Sequence, residues 1–193
     1  LSILINDLFD RILSSKIKYT NVIKFLFVAV IVISYSALTI TRNNDWKDNF
    51  TLFSKTLESS PNSHIARAGM GLEFQAQGRL DDAVREFKKV IELKSRLYKA
   101  HYSLGFIYEK QGLLEEAIYH YKKAVRINPK YVDAYYNLAN IFTARGMLPQ
   151  AAAAYGKVIE LEPNDFEARN NLGVVYAMQG QLDKAVQEWK NVL

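Results

Sequence analysis

The sequence contains no cysteine, and it has only four prolines and nine glycines among 193 residues. The absence of cysteine excludes disulfides, thiolate nucleophiles and cysteine-ligated metals. The sequence also lacks a glycine-rich phosphate loop, a Ser/His/Asp order and a pair of catalytic carboxylates. We therefore expect no catalytic residue and no cofactor site in these residues.

Basic residues exceed acidic ones only slightly. The chain has 25 Lys and Arg against 20 Asp and Glu, a net charge of +5, and basic and acidic residues alternate along it. No basic stripe results, so nucleic acid is not an expected partner. The histidines His64, His101 and His120 show no i, i+4 pair with a third ligand, and we expect no metal site.

One long apolar run is present, at residues 22–40. Lys24 is its one charged residue, and the sixteen residues from Phe25 to Ile40 carry no charge. A helix of this length spans about 28 Å, close to the hydrocarbon thickness of a bilayer. The alternatives are a buried core helix and the apolar region of a signal peptide, but polar residues on one side and a clear cleavage site are both absent. The run predicts a transmembrane helix in contact with lipid.

The flanks of this run differ in basic residues. Four precede or open it and two follow it: Arg11, Lys16, Lys18 and Lys24, then Arg42 and Lys47. The positive-inside rule predicts a cytoplasmic N-terminal flank and places everything after residue 40 in the periplasm, the exterior or a lumen, unless spans further upstream set the orientation. Residues 1–21 have apolar side chains at helical spacing and predict an amphipathic juxtamembrane helix.

From His64 onward the chain repeats every 34 residues. The columns are glycine (Gly78, Gly112, Gly146, Gly180), alanine (Ala83, Ala117, Ala151, Ala185), aromatic (Phe87, Tyr121, Tyr155, Trp189) and small (Gly71, Gly105, Ala139, Gly173). This period and these columns resemble the tetratricopeptide repeat. The resemblance implies an all-α solenoid, a right-handed superhelix of helix A and helix B hairpins.

The register predicts the domain boundaries. Four repeats occupy 64–97, 98–131, 132–165 and 166–193, the last of them truncated. One period earlier, Phe53 falls in the aromatic column, Pro61 in the column of Pro129 and Pro163, and Trp46 in the leucine column of Leu80, Leu114, Leu148 and Leu182. The connector 41–63 therefore contains a helix B without its own helix A, and we expect this half repeat to dock at the bilayer surface.

The junction itself, "RNNDWKDNFTLFSKTLESSPNS", has the pattern W-x6-F-x7-P after an apolar span. It resembles the C-terminal part of polytopic GT-C glycosyltransferases that carry tetratricopeptide repeats, such as the transmembrane O-mannosyltransferases. The resemblance implies a lipid-linked sugar donor and a catalytic membrane domain that these residues do not include, so enzyme activity stays open. The alternative is a single-pass membrane scaffold for assembly of a membrane or envelope complex.

Asn137 and Asn171 each stand one residue before an apolar leucine of helix A, Leu138 and Leu172. This placement is similar to the asparagine ladder of the O-GlcNAc transferases. The resemblance implies that the amides hold the backbone of an extended peptide. Gly69 and Ser103 interrupt the column. The predicted groove comprises Lys99, Tyr102, Phe106, Glu109, Asp133, Tyr136, Asn137, Asn140, Asn170, Asn171 and Val174, with a protein or an extended peptide as partner. Solvated asparagine at a common consensus position is the alternative interpretation.

Overall fold

The computed structural model describes Val30, residues 32–35 and residues 48–191. By backbone contacts the chain divides into residues 1–52 and residues 53–193. The described residues of the first unit are the helical Val30 and 32–35, whose apolar side chains are exposed, and 48–52. Repeats occupy the second unit.

Residues 48–191 form helices joined by short turns. The helices are α1 (Asn49–Ser59), α2 (His64–Ala76), α3 (Leu80–Leu93), α4 (Tyr98–Lys110), α5 (Leu114–Ile127), α6 (Val132–Ala144), α7 (Leu148–Leu161), α8 (Phe166–Met178) and α9 (Leu182–Lys190). Helices α2, α4, α6 and α8 are the A helices, and they begin 34 residues apart. Each packs against the B helix that follows it, and α3, α5 and α7 also pack against the next A helix. The described part is an all-α solenoid, as the repeat predicts.

The glycine column makes the turn between helix A and helix B. Gly78, Gly112, Gly146 and Gly180 have φ between +68° and +76°, the left-handed region that side chains with a Cβ rarely adopt. The next residue closes the turn, as when the backbone N–H of Leu113 donates to the carbonyl of Tyr108 over 2.8 Å. This arrangement is a Schellman motif, which satisfies carbonyls that the helix end leaves free.

The alanine and small columns let the paired helices approach closely. Ala83, Ala117, Ala151 and Ala185 are fully buried. A Cβ on Gly71 would lie 2.9 Å from the ring of Phe87, and a Cβ on Gly105 would lie 2.7 Å from the ring of Tyr121. The aromatic ring of each of these B helices therefore occupies the space that a side chain on helix A would need.

Helix α1 lies in the position of a B helix ahead of the first complete repeat. The ring of Phe53 covers Gly69 so closely that a Cβ on Gly69 would overlap it. Phe53 and Gly69 are sixteen residues apart. The same spacing separates Tyr121 from Asn137, whose side chains are in contact. Trp46 and the residues that connect it to residue 40 lie outside the described residues.

The predicted juxtamembrane helix at 1–21 lies outside the described residues, as does the predicted span at 22–40 except for Val30 and 32–35. Among the residues that the structure describes, none of the helices is sufficiently long and apolar to cross a bilayer.

Candidate functional site: the helix-A face

The predicted groove residues lie on α4, α6 and α8, on one surface that we call the helix-A face. None of the eleven is buried. Five are exposed, namely Lys99, Asp133, Asn140, Asn170 and Val174. Six are half-buried, namely Tyr102, Phe106, Glu109, Tyr136, Asn137 and Asn171. A partner that lay across the A helices would therefore reach each of these positions.

Asn137 stands at the centre of a hydrogen-bonded cluster that joins three helices. Its Nδ2 donates to the hydroxyl of Tyr121 over 3.1 Å and to that of Tyr102 over 3.4 Å. The Tyr121 hydroxyl in turn donates to the Glu109 carboxylate over 2.6 Å. Burial raises the pKa of Tyr121, and Glu109 raises it further, so this phenol stays protonated and remains a donor. The amide of Asn137 is thereby held in one orientation, with Oδ1 left as an acceptor.

Asn171 makes the equivalent hydrogen bond to the A helix of the preceding repeat. Its Nδ2 donates to the hydroxyl of Tyr136 over 3.0 Å, across the 35 residues that also separate Asn137 from Tyr102. Burial raises the pKa of Tyr136, and Glu167 raises it further as a hydrogen-bond acceptor and as a negative charge. The two asparagines therefore form equivalent contacts with the A helix of the preceding repeat.

The other predicted residues join these clusters to different degrees. Asn140 accepts a hydrogen bond at Oδ1 from the Tyr155 hydroxyl. Asn170 contributes its backbone carbonyl to the indole N–H of Trp189 over 3.3 Å. The ring of Phe106 lies 5.3 Å from the ammonium of Lys110. Lys99 and Val174 are exposed on the same face without a hydrogen bond to the asparagine clusters.

Tyrosines line the face between the second and third repeats. The ring centroids of Tyr98 and Tyr131 are 4.9 Å apart, and those of Tyr102 and Tyr131 are 5.0 Å apart with nearly perpendicular planes. Burial raises the pKa of Tyr131, and the Asp133 carboxylate raises it further. These rings offer apolar surface and hydroxyl donors together, a combination suited to peptide contacts.

Sequence reasoning missed the hydroxyls of Tyr121 and Tyr155, which it treated as packing aromatics only. The signal was the use of Tyr rather than Phe at those two positions of the aromatic column, since a buried phenol requires a hydrogen-bond partner. That partner is Asn137 in one case and Asn140 in the other.

Sequence reasoning did not pair His101 with His120, whereas the structure brings the two rings into contact. Their Nδ1 atoms are 3.0 Å apart in a buried position. The spacing of nineteen residues is that of the ion pairs Arg67 with Glu86 and Arg169 with Glu188. The paired histidines thus occupy the place that an ion pair takes in the first and fourth repeats. In the described part of the chain no group of three or more His, Cys, Asp or Glu side chains could hold a metal ion.

Comparison with known families agrees with this geometry. The family described as "TPR repeat" matches residues 71–112, 110–142 and 139–180. Together these matches cover more than half of the chain. The chain belongs to the tetratricopeptide-repeat family. As a member, it is a module for protein–protein interaction. No curated protein sequence matches it significantly.

Solved structures of similar fold include MamA and YrrB. A crystal structure of MamA superposes with a TM-score of 0.70 at 27% identity, over 79% of this chain and 89% of that one. MamA from Desulfovibrio magneticus RS-1 gives a TM-score of 0.66 at 20% identity, over 82% and 89%. YrrB, described as a tetratricopeptide-repeat protein with an unusual peptide-binding site, gives 0.64 at 22% identity, over 81% and 80%. The last two likenesses concern the fold alone.

Proposed function

We propose that the helix-A face binds an extended peptide of a partner protein, and that the side-chain amides of Asn137 and Asn171 hold the peptide backbone. The observation that carries this proposal is the fixed orientation of the two amides by tyrosine hydroxyls of the preceding repeat. At Asn137 both Nδ2 hydrogens are already donated to tyrosine hydroxyls, so its Oδ1 is the acceptor that can take a backbone N–H of the peptide. Because both amides are already held in place, binding costs little side-chain entropy.

The description of YrrB supports this assignment by analogy, since a protein of similar fold has a peptide-binding site. The tyrosines and Val174 then provide contacts for the peptide side chains. Backbone contacts give affinity without a strict sequence, and the tyrosine surface selects among partners.

The test uses an array of immobilised twelve-residue peptides of random sequence, probed with the full chain. The variant Asn137→Ala with Asn171→Ala should bind the retained peptides on the order of tenfold to a hundredfold more weakly, because each amide hydrogen bond contributes about 1 kcal/mol net. The matched control is Asn62→Ala with Asn164→Ala, two exposed asparagines in turns. Equal affinity of the groove variant and the wild type would refute the role of the amides.

The same proposal extends to the membrane. We propose that residues 22–40 anchor the module and that the repeats lie on the non-cytoplasmic side. The support is the uncharged run and the asymmetry of Lys and Arg around it. In sealed vesicles with the cytoplasmic side inward, added protease should remove the repeats. Their survival until detergent is added would reverse the orientation.

We further propose that this membrane-anchored module recruits protein substrates for a GT-C type glycosyltransferase. The support is the W-x6-F-x7-P pattern of the junction, at Trp46, Phe53 and Pro61. Translation of the native gene upstream of Leu1 is the test. Several apolar spans with an acidic pair in an early loop would support the transferase. A start codon close to Leu1 would instead favour a single-pass scaffold for a membrane or envelope complex.

A further inference from the structure

A second concave surface lies away from the helix-A face, where the end of α3 meets α4 and α5. It is a cavity of about 310 Å³. Ile91 and Ile127 provide its apolar walls, and Ser95 and His101 line it from the adjoining turn and helix. It shares no residue with the predicted groove. A neighbouring cavity is lined by Tyr119, Lys122, Lys123 and Arg126. We call the two cavities together the cationic cleft.

The charged residues that line the cleft all have the same sign. Lys123 and Arg126 line the first cavity, and both also line the neighbouring cavity of about 240 Å³ to which Lys122 contributes. None of these three cations forms an ion pair with a carboxylate among the described residues, whereas Arg67, Arg79, Arg145 and Arg169 each do. The cleft therefore carries a net positive charge, and the Glu115 carboxylate, whose pKa is lowered by Arg145 and also by Lys122, offsets part of it.

Tyr119 adds an exposed aromatic surface that both cavities share. Tyr119 is 55% exposed, although a large aromatic side chain usually buries more of its ring. The Lys123 ammonium lies 5.4 Å from the ring centroid, a cation–π distance. Tyr119 also packs edge-on against His120 at 5.1 Å, which fixes the ring against the buried histidine pair.

Lysines near the cleft also act on the buried histidine pair. Burial, together with the charges of His101, Lys88 and Lys123, lowers the pKa of His120 to about 4. Burial likewise lowers the pKa of His101, and the charge of Lys123 adds to this effect against the opposing carbonyl of Ser95. Each lysine that acts on the pair disfavours an additional positive charge there.

We infer that the cationic cleft is a second binding site, distinct from the helix-A face, for an acidic segment of a partner protein that combines carboxylates with an apolar side chain. Lys122, Lys123 and Arg126 meet the carboxylates, and the walls of Ile91 and Ile127 take the apolar side chain. The complementarity of charge is what selects this class of partner, because a neutral or basic segment would leave the three cations unpaired.

The test uses the full chain and a fluorescein-labelled Glu-Glu-Leu-Glu-Glu-Leu peptide, followed by fluorescence anisotropy. The variant K122Q/K123Q/R126Q should bind about tenfold more weakly, since three partly exposed ion pairs are lost. Affinity of the wild type should fall as salt rises from 50 mM to 500 mM. Tyr119→Ala keeps all three charges and should weaken binding severalfold.

The matched control is K130Q/K184Q/K190Q, which removes the same charge from exposed lysines elsewhere. It should bind the peptide within twofold of the wild type. Equal losses in the two triple variants, or no measurable binding by the wild type, would overturn the proposal. Tighter binding of a twelve-nucleotide single-stranded DNA than of the peptide, lost in the cleft variant, would also overturn it and assign the cleft to nucleic acid.

Discussion

At the residue scale, the close approach of Gly105 to Tyr121 shows why a column of small residues recurs. The Tyr121 ring is fully buried, and its hydroxyl is bonded to Glu109 and Asn137. The ring has no free direction in which to move if a methyl group is added to helix A. Gly156 offers the opposite case, a helical glycine whose added Cβ would have no neighbour within 4 Å.

We expect Gly105→Ala to lower the free energy of unfolding by roughly 1–3 kcal/mol, the usual cost of overpacking a core. Gly156→Ala should raise it by about 0.4–1 kcal/mol, because alanine restricts the unfolded chain at a position it fits. Urea denaturation followed by circular dichroism measures both. Equal effects of the two substitutions would contradict the packing described for Tyr121.

The histidine pair makes stability depend on pH. The pair faces Lys88 from α3, Lys123 from α5, Tyr108 stacked on His120, and the carbonyl of Ser95. The pKa values of both histidines are lower in the folded chain than the ordinary 6.5, so the unfolded state binds protons first as pH falls. The free energy of unfolding should therefore be highest above about pH 6.5 and decrease as pH falls towards 4.

The measurement is the urea midpoint at pH 7.5 and at pH 5. The variant His101→Gln with His120→Gln should show a smaller difference between the two midpoints than the wild type. His64→Gln removes a histidine but leaves the pair in contact, and it should keep the difference of the wild type. A double variant with the full wild-type difference would contradict neutral, buried histidines.

At the scale of the element, α1 contacts the first A helix through Phe53. Phe53 covers Gly69 of α2, and Arg67 of α2 bonds both Glu86 of α3 and the carbonyl of Pro61. Helix α2 packs extensively against α3, and its contact with α1 is small by comparison.

We expect Phe53→Ala to accelerate hydrogen exchange of the α2 amides severalfold while the α6 amides change little, because solenoid repeats depend mainly on their neighbours. Glu58→Ala, in the same helix but exposed, is the control and should have little effect. Mass spectrometry of peptides from the two helices measures the rates. An equal change in α2 and α6 would indicate a single cooperative unit instead.

Much of this element-scale organisation follows from the sequence, because the period of 34 and its columns are local patterns that fix where helices turn and which side is buried. The contacts of Asn137 with Tyr102 and of His101 with His120 did not follow. They depend on how two helices are rotated about their axes, which no single column encodes. The comparison of equivalent pairs such as Arg67 and Glu86 could have indicated the second contact.

At the scale of the whole molecule, the solenoid has unequal ends within the described residues. The leucine column is half-buried at Leu80, Leu114 and Leu148, but Leu182 is 64% exposed. Val186 and Trp189 on the same helix are also exposed. The positions of α9 that correspond to the contact between a B helix and the next A helix are therefore exposed within the described residues.

We expect the amides of α9 to exchange with solvent at least tenfold faster than those of α3, α5 and α7, since few buried contacts oppose its opening. Hydrogen exchange followed by mass spectrometry measures this at neutral pH, at a low protein concentration and at a high one. Slower exchange at the high concentration would show that the exposed face associates between copies. Protection of α9 equal to that of α5 at low concentration would contradict the weak protection expected from its exposed side chains.

The central claim is that the helix-A face holds an extended peptide by its asparagine amides. The most direct test is NMR of the full chain with a spin-labelled twelve-residue peptide retained on the array. The side-chain amide signals of Asn137, Asn140 and Asn171 should broaden, whereas those of Gln150 and Asn164, exposed elsewhere, should not. Broadening of Gln150 or Asn164 with the three groove amides unchanged would contradict the account.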